Sequence, residues 1–355
     1  MMKIDEKIVK FARLGGSLLG GGGGGSMEEG KIIGEMAVNI GNPTLVDIED
    51  LPDDATILTV SAVGAPAAKG SCTKPMDYVR AIEILRMNNI KVDGIITCEN
   101  GGLATVNGWF QSAVLNIPVV DAPANGRAHP MGIMGSMGLH SIEGYISRQA
   151  AVGGNPQEGR YLEIYVSGTL DMVARIIRQT SVFAGGLVAV ARNPVGVEYA
   201  RKNAAVGAIT QAIEIGKIMI EARSSEDMGE KILQYTGGKK IGEGVVEDTK
   251  LETTGGFDIG NVTVRTGKVS YELSFWNEYM CIEREGNRLA TFPDLIVTLS
   301  LETNLPLSTA EIKKGQRVAI LHIPKENLKL GAGMKDPRLF EEVEKITGKE
   351  MTRYL

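Results

Sequence analysis

Three short apolar runs end in residues that could do chemistry. Gly94–Cys98 leads into Glu99-Asn100-Gly101-Gly102. Ile117–Val120 leads into Asp121, then Asn125-Gly126-Arg127-Ala128-His129-Pro130. Thr56–Val63 leads into Gly64-Ala65-Pro66 and a loop holding Lys69 and Cys72. Either Glu99 or Asp121 has the chemistry of a general base for water, and a carboxylate pair with histidine has the donors for a divalent metal such as zinc. Of the three histidines, His129 and His140 fall in this region, so they are the candidate ligands, against the ordinary alternative of a hydrogen-bonded histidine in a turn. Cys72 lies between Lys69 and Lys74, whose charges favour a thiolate, so a covalent route through Cys72 stands beside the water route. Cys98 and Cys281 read as inert core thiols.

A second feature is backbone without side chains. Gly15-Gly16-Ser17-Leu18-Leu19 runs into six consecutive glycines, Gly20 to Gly25, and then Ser26 before a helical pattern. Bare N–H groups at a helix start bind anions. No Gly-Lys-Ser/Thr closes the run, and a helix rather than a strand precedes it, so neither nucleotide fingerprint applies. Gly22, Gly23, Gly24 and Ser26 are therefore read as lining a small ligand or a close packing contact. Far along the chain, Phe275-Trp276-Asn277-Glu278-Tyr279 sets two polar residues inside an apolar stretch, as a bulge or as a second wall of the cleft.

These residues need a scaffold. Runs at Thr44–Ile48, Thr56–Val63, Gly94–Cys98 and Ile117–Asp121 read as strands, with helical patterns at Asp5–Leu14, Met27–Asn39, Met76–Asn88 and Leu103–Leu115. That alternation predicts an α/β domain with a mostly parallel sheet, in which Glu99, Asp121, Arg127 and His129 converge at the carboxyl ends of the strands. The predicted division is 1–158 for this domain with its glycine-rich loop and 159–355 for an α+β domain. In the latter, about 168–240 is helical, including Leu170–Phe183 and Ala204–Ala222, and about 245–330 is an all-β module.

Composition narrows the class. The 355 residues include 45 glycines, where average usage of about 7% would give roughly 25. No Gly-X-Y period accompanies them, so tight turns and close backbone approaches are their expected use. With 43 acidic against 38 basic residues and 5% aromatics, nothing resembles a nucleic-acid footprint. No apolar run reaches the roughly 18 residues of a membrane span, and the amino terminus lacks a signal-peptide pattern. Three scattered cysteines fit a reducing, cytoplasmic setting. The expected working form is a homo-oligomer acting on a small molecule.

Several of these motifs resemble, in order, those of the S-methyl-thiohydantoin desulfurase-like family. They are Leu14–Ser26, Glu99-Asn100-Gly101-Gly102, Pro118–Asp121 with Gly126–Pro130, Asn277-Glu278, Phe292–Ile296 and Thr309–Gln316. The sequence departs at His129, Met131 and Asp121–Asn125, where the family pattern has phenylalanine, an acid and a shorter acidic stretch. The resemblance implies an α/β part followed by a β module. It also implies hydrolytic release of methanethiol from an S-methylated thiohydantoin. On that reading water or Cys72 adds to the ring carbon, Glu99 or Asp121 takes the proton, and Arg127 holds the anionic part of the substrate. Asn100, Gly101, Asn277 and Glu278 complete the binding set. The alternatives are a metal-dependent hydantoin or cyclic-imide hydrolase, and a non-catalytic ligand-binding subunit of a hydantoinase-like assembly.

Overall fold

The computed structural model describes residues 1–65, 68 and 70–355; Lys69 lies outside the described residues. The first sheet holds β1 (Met2–Lys3), β2 (Thr44–Val46), β3 (Thr56–Gly64), β4 (Gly94–Thr97), β5 (Val119–Val120), β6 (Ser147–Gly153), β7 (Leu162–Gly168) and β8 (Leu187–Gly196). Their order is β1-β2-β5-β4-β3-β8-β6-β7. Strands β2, β5, β4 and β3 run parallel, as the alternating pattern predicts. The flanking strands pair antiparallel. Helices α1 (Glu6–Leu19) and α2 (Met27–Ile40) link the antiparallel pair β1 and β2. Parallel neighbours need crossovers, supplied by α3 (Pro75–Met87) between β3 and β4 and α4 (Trp109–Leu115) between β4 and β5. Strands β7 and β8 come from beyond residue 158, so this sheet draws on both sides of the predicted division.

Helix α5 (Leu170–Phe183) has the predicted limits. A short helix, α6 (Val197–Asn203), comes next. The helix expected over Ala204–Ala222 is α7 (Ala208–Glu221), which starts four residues later because Gly207 turns left-handed at φ +78. Helix α8 (Ser225–Thr236) follows. The second sheet is antiparallel throughout: β9 (Lys239–Thr254), β10 (Phe257–Thr266), β11 (Val269–Trp276), β12 (Glu278–Arg284), β13 (Asn287–Thr291), β14 (Leu295–Ser300), β15 (Pro306–Leu307) and β16 (Arg317–Ile323). Its order is β13-β12-β11-β10-β9-β16-β14-β15. Helix α9 (Phe340–Thr347) closes the chain. Among the described residues no helix is long and apolar enough to cross a membrane.

The two sheets share a core through α1 and α7. Leu18, Leu19, Ala212 and Ile215 pack with Leu295, Val297 and Leu321 of the second sheet. The apolar pattern Asp5–Leu14 understates α1, which continues through Gly15 and Gly16 to Leu19. Glycine is a poor helix former, about 1 kcal/mol worse than alanine. Its presence follows from the crossing with α7. A Cβ on Gly15 would lie 1.8 Å from the Ala212 carbonyl oxygen, and one on Gly216 1.8 Å from that of Phe11. The helices meet backbone to backbone, and this contact carries α1 to the start of the glycine run.

Gly15→Ala or Gly216→Ala is expected to destabilise the protein by about 1–3 kcal/mol in urea unfolding, the ordinary cost of overpacking. Gly229→Ala in α8, where a Cβ meets nothing within 4 Å, is expected to be neutral or to stabilise by about 0.5–1 kcal/mol. Equal effects at the three sites would remove the close crossing as the reason for these glycines.

Candidate active site

After α1, the glycine run becomes a loop held mainly by its carbonyl oxygens. Gly21 O accepts the N–H of Tyr279 and Gly22 O that of Thr309, each at 2.9 Å. Gly24 O accepts from Leu103 at 3.2 Å and Ala104 at 3.0 Å. The loop therefore bridges the turn after β4 and the start of β12. Gly22 adopts φ +98, a conformation that side chains rarely take. Gly23 is glycine for space: a Cβ there would stand 2.2 Å from Glu278 Oε1.

Between the loop, the ends of β3 and β4, α5 and β12 lies a cavity of about 170 Å³, sized for a small ring rather than a polymer. Of the predicted residues, Gly22, Gly23, Gly24, Ser26, Glu99, His129, Asn277 and Glu278 line it. Ser26 also caps α2, its Oγ accepting the Glu28 N–H at 3.1 Å. Glu99 Oε2 accepts the backbone N–H of His129 at 3.2 Å. His129 Nδ1 lies 2.7 Å from the same oxygen, but the ring N–H is not aimed along that line, so this contact is electrostatic and the backbone bond is the directed one.

Glu278 stands opposite. It follows Asn277, whose backbone is left-handed at φ +58. Asn277 is pinned by a pair of bonds with Asp258, donating its N–H to Asp258 O at 2.7 Å and accepting the Asp258 N–H on Oδ1 at 2.9 Å. Glu278 is only 2% exposed, and its Oε2 has no hydrogen-bond partner among the described residues. Burial pushes its carboxyl well above the ordinary carboxylate range, and the nearby Glu99 pushes the same way. Four glutamates line the cavity; Glu29 and Glu311 are exposed, and Glu99 and Glu278 are the two withdrawn from solvent, in unequal settings. Glu99 accepts a directed backbone hydrogen bond, whereas burial pushes the Glu278 carboxyl toward its protonated form.

The opposing charge comes from two arginines that sequence reasoning missed. Arg192, on β8, is 4% exposed, lines the cavity, and has an unpartnered Nε. Arg178, on α5, lines it too, tethered by bonds to the carbonyls of Gly64, Gly256 and Pro130 and stacked 4.1 Å from the Phe257 ring. Burial, with Arg192 close by, lowers the Arg178 guanidinium to about 10. The one available signal for Arg192 was a lone charge ending the apolar run Leu187–Ala191. Arg178 had none, since an arginine in an amphipathic helix is ordinarily on the solvent side. Cys98 also lines the cavity, and burial raises its thiol, which keeps it protonated.

Other predicted residues hold the scaffold and do not line the cavity. Asp121 is a helix cap: its carboxylate accepts from the N–H groups of Ile209 at 2.8 Å and Thr210 at 3.2 Å at the start of α7. Burial raises its carboxyl and these bonds oppose the rise. Asn100 is buried and donates to the carbonyls of Gly126 and Ala208. Gly101 packs on the loop, where its Cβ would stand 2.3 Å from Gly24 Cα. Arg127 is buried behind the loop, bonded to the carbonyls of Ala128, Pro293 and Asp294 and stacked on Phe292. Burial lowers it to about 10 against the pull of Glu278. At Cys72 the cavity is lined by its neighbour Ser71 instead, while the Cys72 carbonyl accepts from Gly154. His140 pairs with Asp336 at 2.9 Å, away from the cavity. Among the described residues, no three His, Cys, Asp or Glu side chains gather as metal ligands.

Glu278 binds a proton more tightly folded than unfolded, so its contribution to stability is full below the ordinary carboxylate range and fades as pH rises through its raised value. Glu278→Gln is therefore expected to be more stable than the parent at pH 8, with the gain vanishing near pH 4, as read by urea unfolding across pH. A constant difference would contradict the protonated state. Asp121→Ala is expected to cost about 1–2 kcal/mol, the size of a lost helix cap; no loss in the same assay would contradict the capping role.

Comparison with known proteins agrees with this architecture. The family model for the S-Me-THD-like N-terminal domain matches residues 7–155, and that for the S-Me-THD-like C-terminal domain matches residues 169–335. A search of curated proteins finds no match. The crystal structure of a protein from Chromobacterium violaceum shares the fold, with a TM-score of 0.74 over 97% of each chain at 18% identity. Two consecutive domain matches in the expected order, on a fold that places the motif residues around one cavity, show that the chain belongs to the S-methyl-thiohydantoin desulfurase-like family.

Proposed function

We propose that this chain is a hydrolase that replaces the methylthio group of an S-methylated thiohydantoin by oxygen, releasing methanethiol. The observation that carries the reading is the pairing of Glu99 with the buried, unpartnered Glu278, whose carboxyl burial pushes well above the ordinary range, in one small cavity. Unequal carboxyls are what a reaction needing both a base and an acid requires.

Water adds to the ring carbon bearing sulfur, its oxygen forming the new bond while one proton passes to Glu99. The C=N electron pair moves into the ring. When the intermediate collapses, the C–S bond breaks with its electron pair on sulfur, and Glu278 donates the proton that makes methanethiol. The hydroxyl proton returns to Glu278 as the new C=O forms, and Glu99 passes its proton to the ring nitrogen. Water is consumed, thiol leaves, and both carboxyls are restored. Arg192 and Arg178 form a positive wall suited to an anionic substituent, the task the sequence had suggested for Arg127.

Incubation with S-methylated thiohydantoins in the presence of a thiol-reactive dye is expected to show thiol release. Glu99→Gln is expected to lower turnover by roughly 100-fold or more, within the range of a lost general base, with an unchanged melting temperature. Ring opening without thiol would favour a cyclic-amide hydrolase, and ligand-induced stabilisation without any turnover a binding subunit; either outcome overturns the desulfurase reading.

A further inference from the structure

We propose that the backbone N–H groups of Gly22 and Gly25 form an oxyanion hole for the ring carbonyl oxygen of the substrate. This rests on the thiohydantoin reading above and adds what that reading lacks, a group that receives the charge displaced by water.

The argument begins with peptide geometry. In a planar trans peptide the C=O of one residue and the N–H of the next point in opposite directions. Gly21 O is turned to the Tyr279 N–H, so the Gly22 N–H points away from β12. Gly24 O is turned to the N–H groups of Leu103 and Ala104, so the Gly25 N–H points away from that turn. Both glycines line the cavity. The N–H groups of Gly20, Gly21 and Gly23 are bonded within the run, to Gly16, Leu18 and Gly20. Those of Gly22, Gly24 and Gly25 meet no acceptor among the described residues, and of these only Gly22 and Gly25 follow a carbonyl whose own bond fixes the peptide's direction. Gly22 is buried, and a buried N–H without a partner costs free energy comparable to a lost hydrogen bond. Unbonded N–H groups on glycines that line a cavity are available to donate to a ligand held there.

Two further observations point to a polar ligand in the same place. Arg192 Nε and Glu278 Oε2 are both buried, both unpartnered, and both belong to residues lining this cavity. Helix α2, 14 residues long, starts one residue past the loop and directs its positive end there.

The chemistry fits. When water adds to the C=N carbon, the displaced electron pair moves through the ring nitrogen onto the carbonyl oxygen conjugated with it. That oxygen carries the charge until Glu99 returns a proton to the nitrogen. Donors fixed before the reaction stabilise such charge with no reorganisation. Backbone donors suit the task, because their direction is set by the carbonyl bonds to Tyr279, Leu103 and Ala104.

The test replaces single N–H groups by ester oxygens through semisynthesis at Gly22 and at Gly25, with thermal unfolding to confirm the fold. Each ester is expected to lower kcat for thiol release by roughly 100-fold with KM changed by only a few-fold. A second readout needs no turnover: calorimetric binding of hydantoin against 2-imidazolidinone, which lacks the second carbonyl. The parent is expected to prefer hydantoin by roughly tenfold, about the 1.4 kcal/mol of one good hydrogen bond, and the esters to lose that preference. An ester-sensitive preference for hydantoin in a protein that releases no thiol would overturn the reaction and keep the hole. Unchanged kcat in both esters, or hydantoin binding that is absent or insensitive to them, would overturn the hole.

Discussion

The cavity exists because the glycine loop is fastened from two sides through its carbonyl oxygens. Tyr279 and Thr309 hold it from the second half of the chain, and Leu103 and Ala104 from the first. A loop with side chains could not occupy this space, since Gly23 sits where Glu278 approaches and Gly24 presses on Gly101. Everything in the site takes its position from that seam. Glu99 arrives from β4, Glu278 from the start of β12, and the two arginines from α5 and β8. The crossing of α1 on α7 fixes where the loop begins.

Much of this was legible in the sequence, and the rest was not for physical reasons. The parallel strands were visible because apolar runs and crossover helices have their own periods. Glu99, Glu278 and the glycine loop were visible because polar or bare residues interrupt apolar patterns. Asp121, Asn100 and Arg127 interrupt patterns in the same way, yet they satisfy buried backbone groups of α7, of the Gly126 and Ala208 turns, and of the Ala128, Pro293 and Asp294 carbonyls. A buried polar residue announces that it has a partner, and sequence alone does not say whether that partner is the protein or a ligand. Arg178 and Arg192 show the converse. Their role depends on strands and helices from beyond residue 158 joining the first sheet, a pairing that no local period encodes.

The electrostatics of the cavity follow from the same layout. Besides the exposed Glu29 and Glu311, the carboxyls of Glu99 and Glu278 and the guanidinium groups of Arg178 and Arg192 lie around one small volume, and burial makes each such charge felt more strongly than at the surface. Arg178 is solvated by three carbonyl oxygens, and burial pushes the Glu278 carboxyl toward its neutral form. Arg127, behind the loop, contributes positive charge to Glu278 without entering the cavity. The second sheet thus supplies Glu278 and the first sheet Glu99, so neither half contains the pair by itself.

The contact between Gly23 and Glu278 also bears on how such a chain can change over evolutionary time. The two positions lie far apart in sequence and in different matched domains, yet the carboxyl of one fills the volume that a methyl group on the other would need. A side chain can be gained at position 23 only if position 278 has first given up its length or direction. Recombination that joins the front half of one relative to the back half of another must inherit a compatible pair at this seam. The domains are separable as sequence matches, but as units of inheritance they are tied together by the width of a single Cβ.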